Sequence, residues 1–84
     1  MSKEYNVWEV IQSERKYQDS ISYHSQINDA KYSISDWVIF MENKLNEAKN
    51  NIYNLNSNAA LESIRKITAL GTACMEYNQT PKRK

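Results

Sequence analysis

Among its 84 residues the chain holds one histidine, one cysteine, ten acidic and eleven basic side chains. The simplest catalytic arrangement these allow is a Cys74–His24 pair, since a thiol needs a neighbouring base to become a nucleophile. His24 falls in a polar stretch, however, and Cys74 on an apolar helical stripe, where a cysteine acts as a small hydrophobe. A carboxylate Mg²⁺ site needs acids at i and i+3 or i+4 on facing helices. Glu42 and Glu47 stand five apart and diverge by about 140° around a helix. Glu62 and Glu76 lie far apart along theirs. No catalytic residue, metal-ligand set or cofactor is therefore assigned.

Cations interleaved with aromatic and amide side chains point instead to binding of phosphate esters. In Glu14-Arg15-Lys16-Tyr17-Gln18, Arg15 can grip a phosphate, Tyr17 can stack on a base and Gln18 can read a base edge. Ile64-Arg65-Lys66-Ile67 sets two cations between two apolar positions, and the basic tail, Lys82-Arg83-Lys84, can close over an anion. Trp8 and Trp37 add two further stacking surfaces. The candidate ligand-binding set is thus Trp8, Arg15, Tyr17, Gln18, Trp37, Arg65, Lys66 and Arg83. Plainer roles compete: solvated helix faces, core aromatics, and a weak Glu47–Arg65 ion pair between neighbouring helices.

The elements that must position these residues follow from composition and periodicity. Apolar residues make up 40% and charged residues 25%, with one Gly, one Pro and a net charge of +1. The length fits one domain, residues 1–84. So few turn formers exclude a sandwich or barrel, and one cysteine excludes an internal disulfide framework. The near-zero charge argues against a nucleic-acid polymer as partner. No apolar run reaches the roughly 20 residues of a membrane span, and residues 1–6 are too polar for a signal peptide. A cytoplasmic, all-α protein is expected.

A first short helix spans about 3–18. Residues 19–33 form a polar loop whose Tyr23, His24 and Tyr32 could pack on a neighbour or a flat ligand. Ser33 with Asp36 makes a capping box, Ser35 competing as N-cap, and opens a helix over about 35–54. Along it Ile34, Val38, Met41, Leu45, Ala48, Ile52 and Leu55 form a heptad-like stripe, the expected core face. Asn54-Leu55-Asn56-Ser57-Asn58 is a turn, with Ser57 or Asn58 capping a last helix over about 58–77. A basic tail, 79–84, follows. So short a turn makes an antiparallel hairpin, with Leu45 level with Ile67, Ala48 with Ile64 and Met41 with Gly71. The hairpin alone leaves Trp37, Phe40 and Leu70 poorly covered. The first helix, a second chain or both would cover them, giving a symmetric homo-oligomer, a dimer or tetramer.

Residues 8–18 (WEVIQSERKYQ), 37–49 (WVIFMENKLNEAK) and 60–76 (ALESIRKITALGTACME) resemble small phage proteins related to the MazG-like all-α nucleoside triphosphate pyrophosphohydrolases. In those enzymes an EExxE segment and an ExxD segment on the next helix hold Mg²⁺. Laid onto this chain they fall on residues 43–47 and 62–65, where Glu47 and Glu62 are retained and Lys44 and Arg65 are cations. The resemblance implies a groove that holds phosphates directly and has lost hydrolysis. In size, helix content and expected oligomerisation the chain is also similar to phage sponge (anti-CBASS) proteins, which bind cyclic-nucleotide immune signals. That similarity implies a non-enzymatic protein of the infected host cytoplasm. It would sequester a nucleotide second messenger, such as a cyclic dinucleotide, between protomers and so block host anti-phage defence. The alternatives are a Mg²⁺-dependent pyrophosphohydrolase built on Glu47 and Glu62, and a module that docks its heptad stripe on another protein.

Overall fold

The computed structural model describes residues 6–21 and 29–83. They form three helices, α1 (Val7–Asp19), α2 (Ile34–Tyr53) and α3 (Ser57–Asn78), and no strand among the described residues. The all-α architecture expected from composition is present. Tyr23 and His24 lie outside the described residues.

Short polar side chains set the helix ends. The Asn6 side chain accepts from the Glu9 N–H and starts α1. At α2 the Ser33 capping box forms in full: Ser33 Oγ accepts from the Asp36 N–H at 3.2 Å, and Asp36 Oδ2 accepts from the Ser33 N–H at 2.9 Å. Ser33, not Ser35, is the cap. Past α2, Leu55 adopts φ 57°. The N–H groups of Leu55 and Asn56 donate to the carbonyls of Ile52 and Asn51 at 3.0 and 2.8 Å. This left-handed stop satisfies the orphan carbonyls of the helix end. Leu55, expected on the core stripe, therefore points into solvent. Asn56 then caps α3 by accepting from the Ala59 N–H at 3.0 Å, one residue earlier than expected.

α3 lies centrally, with α2 packed along one side and α1 against another. The hairpin levels agree with the expected pairing at Met41, whose Sδ would lie 3.6 Å from a Cβ added at Gly71. That spacing is ordinary van der Waals contact. Gly71→Ala is therefore expected to raise stability by about 0.5–1 kcal/mol through helix propensity, read as a higher urea midpoint by circular dichroism.

Trp37 is fully buried and forms the core with Leu70 and Ala73, flanked by Tyr32, Phe40, Met41 and Cys74. Tyr32 and Phe40 meet its indole edge-on at centroid distances of 5.7 and 5.9 Å, and Tyr77 stacks on it at 6.4 Å. Trp37 is thus covered within the single chain, with Tyr32, Phe40 and Tyr77 packed on it, and Leu70 shares a cleft with Glu14, Tyr17 and Gln18 of α1. Tyr32, offered as a ring for a flat ligand, is part of this packing.

The core stripe of α2 is also corrected. Met41 and Ala48 turn inward, but Ile34, Val38, Leu45 and Ile52 are each more than half exposed. The buried side of α2 is centred roughly 70° around the helix from the stripe, where Trp37 offers more apolar area than any aliphatic residue. On α3 the small residues Ala60, Ser63, Ala69 and Ala73 are buried. Among the described residues, no helix is long and apolar enough to cross a membrane.

Candidate functional site

The Glu14–Gln18 segment docks α1 onto α3. Glu14 is only 6% exposed, and its Oε1 accepts from Arg65 Nε at 2.8 Å. Buried Gln18 donates through Nε2 to the Lys66 carbonyl at 3.4 Å. On another flank of α1, Arg15 forms a two-pronged pair with Glu76, Nη1 donating to Oε2 at 2.9 Å and Nη2 to Oε1. That hydrogen bond holds the Arg15 guanidinium pKa above its ordinary value.

This docking leaves Tyr17, 61% exposed, on the flank of α1 beside Lys66. One cleft, of about 390 Å³, is lined by Ser13, Glu14, Tyr17, Arg65 and Lys66. A second, of about 180 Å³, shares Glu14, Tyr17 and Lys66 and extends to Gln18, Ile21, Lys44 and Leu70. At its rim Glu47 links two cations: Lys44 Nζ lies 3.0 Å from Oε2 and Lys66 Nζ lies 3.8 Å from Oε1. The Lys44 hydrogen bond holds the Glu47 carboxyl below the usual carboxylate range. The charges of Lys44 and Lys66 act in the same direction, and partial burial opposes them. The paired clefts thus offer three cations, two acids and one open aromatic ring.

No protein-family model, curated protein or solved structure matches the chain.

Of the residues singled out in the sequence, the fold brings together Tyr17, Arg65 and Lys66, with Gln18 at the cleft floor. Gln18 does not present a free amide to a base edge, because its nitrogen is engaged by α3. Trp37 is withdrawn as a stacking surface, since Tyr32, Phe40 and Tyr77 pack around it in the core. Trp8 is exposed but stands about 180° around α1 from Tyr17, nine residues away. Arg15 lines a separate cleft with Glu9, Gln12, Lys16 and Asp19, where Glu76 neutralises it. Arg83 is exposed in the tail beyond α3. The expected Glu47–Arg65 pair is replaced by Glu14–Arg65 and by Glu47 with two lysines.

Glu47 and Glu62 do not meet. Glu62 lines an apolar groove with Val7, Val10, Ile11 and Leu61, away from the lysines that hold Glu47. Among the described residues no group of three or more His, Cys, Asp or Glu side chains could hold a metal ion. Lys44 is the cleft cation missing from the sequence-derived set. Its signal was the i, i+3 spacing to Glu47, which places the two on one helix face.

Proposed function

We propose that the chain is a non-enzymatic binder that sequesters a nucleotide second messenger, such as a cyclic dinucleotide, in the cytoplasm of a phage-infected host. It would act as a homo-oligomer, a dimer or tetramer. The observation that carries this reading is the open ring of Tyr17 beside Lys66, Lys44 and Arg65. A tyrosine so exposed adds little to the core, whereas base stacking on such a ring contributes about 1–3 kcal/mol. The clefts together fall within the roughly 300–1,000 Å³ of small-molecule sites.

The cations are held in place by exchangeable partners. Lys44 and Lys66 share the single carboxylate of Glu47, which is nearly half exposed. A phosphodiester can take the place of that carboxylate, because both present charged oxygens to the same ammonium groups. The two carboxylates at the clefts, Glu14 and Glu47, are each engaged by cations, so neither is assigned a hydrolytic role and an ester bound there would stay intact. Arg65 remains with Glu14 at the cleft edge and adds positive potential.

Titration calorimetry against a panel of cyclic di- and trinucleotides tests the reading. Binding is expected for at least one member. Tyr17→Ala and Lys66→Ala are each expected to weaken it about tenfold or more, with unchanged circular dichroism. Glu47→Gln should tighten binding, because it removes the competing carboxylate. Acidification should act the same way. Glu47 has a depressed folded-state pKa, so its ion pairs persist below the usual carboxylate range. As pH falls through the depressed value they break. The stability they contribute is lost, and both lysines are freed for phosphate. Absence of heat with every member at micromolar protein rejects the proposal.

A further inference from the structure

Val38, Leu45 and Ile52 recur every seven residues along α2, and each is more than half exposed. Between α2 and α3 their row opens onto a groove of about 460 Å³ lined by Leu45, Ala48, Lys49, Ile52, Tyr53, Ala60 and Ile64. The chain exposes 6657 Å², against about 5,200 Å² for a compact monomer of its mass. Part of the difference lies in the exposed tail, and the open row of Val38, Leu45 and Ile52 contributes to it. The buried core, by contrast, contains only two large side chains, Trp37 and Leu70, among the buried apolar residues described.

Charge placement identifies the occupant and its direction. Glu42 and Lys49 lie on the same flank of the stripe, the side away from Met41 and Ala48. Among the described residues neither forms an ion pair within the chain. A copy of α2 laid antiparallel, with a twofold axis through Leu45, sets Val38 against the partner's Ile52 and Leu45 against the partner's Leu45. Within one residue of that register, Glu42 meets the partner's Lys49, twice by symmetry. A parallel twofold pairing would carry this flank of the two helices to opposite sides of the seam, so Glu42 would have no Lys49 to meet.

The same axis is consistent with α3. Leu45 is level with Ile67, as the Met41–Gly71 contact requires. The axis therefore crosses α3 near Thr68 and sets exposed Leu61 opposite the partner's exposed Met75. The geometry points to a second copy of this chain as the occupant, giving an antiparallel twofold dimer of hairpins centred on Leu45, with a four-helix core. This deepens the homo-oligomer proposed above by naming its interface and register, and it stands whether or not a nucleotide binds.

Sedimentation without ligand should show a dimer or a higher even oligomer at about 10–100 µM, above the micromolar upper end of affinities for interfaces of standard size. Leu45→Glu, at a position exposed in the single chain, should give a folded monomer. Glu42→Lys and Lys49→Glu should each weaken assembly about tenfold, because two symmetry-related pairs turn repulsive. The double exchange should restore it. On a Cys74→Ser background, Leu45→Cys should form a disulfide-linked dimer on oxidation. Val38→Cys should not, because its two copies lie about 20 Å apart in this register, beyond disulfide reach. A monomer throughout that range, a double exchange that fails to restore assembly, or Val38→Cys linking as readily as Leu45→Cys would overturn the inference.

Discussion

Trp37→Ala is expected to cost about 3–5 kcal/mol of stability, as large-to-small changes at fully buried aromatic positions do. The indole has no exposed surface, and three aromatic rings pack against it. Removing it opens a cavity between α2 and α3 that Ala73 and the other small residues there cannot refill, and it strips Tyr32, Phe40 and Tyr77 of their shared partner. A domain of this size is stable by roughly 5–15 kcal/mol, so the loss takes a large share of the total. The melting temperature should drop by at least about 12 °C, at roughly 4–8 °C per kcal/mol. Urea denaturation followed by far-ultraviolet circular dichroism measures it, with Trp37→Phe as a milder companion that keeps one ring in the site. The competing role for Trp37, stacking on a nucleotide base, makes the opposite prediction: an unchanged urea midpoint and lost ligand affinity.

That contrast marks where the sequence stops being legible. The capping box at Ser33, the antiparallel hairpin and the Met41–Gly71 level depend on residues a few positions apart or on the length of one turn, and they can be read directly. The apolar stripe of α2 is equally regular, but regularity does not say which of two neighbours it serves. Its Met41 and Ala48 edge packs on α3, and its Val38, Leu45 and Ile52 edge stays open. Trp37 sits just off the stripe, and its bulk rotates the buried side toward itself. The cleft was partly legible. Tyr17, Arg65 and Lys66 were found as cations and a ring on amphipathic helices. Their pairing with Glu14 and Glu47 was not, because Glu14 and Arg65 are 51 positions apart and only the packing of α1 on α3 brings them together. For the same reason Arg15 read as a phosphate ligand, although Glu76, 61 positions away, occupies it.

Arg65→Ala separates these roles by energy. Its partner Glu14 is nearly inaccessible to water, so removing the guanidinium leaves a carboxylate with neither solvent nor counter-charge. Breaking a fully buried pair costs about 3–5 kcal/mol. Arg65 is itself about one-third exposed, so water can reach part of the vacated space, and about 2–3 kcal/mol is expected. The urea midpoint should fall accordingly. Arg15→Ala should lower it by no more than about 1 kcal/mol, because Glu76 is already half in water and keeps its hydration. Pairing Arg65→Met with Glu14→Leu should recover most of the loss, since no unpaired charge then remains at the α1–α3 contact. A residue held in reserve for phosphate would behave differently. Its removal would leave the midpoint unchanged and lower only nucleotide affinity. With Glu14 seated against it, Arg65 holds α1 on α3, and Tyr17, three residues beyond Glu14 on that helix, keeps its place over Lys66 only while this contact holds.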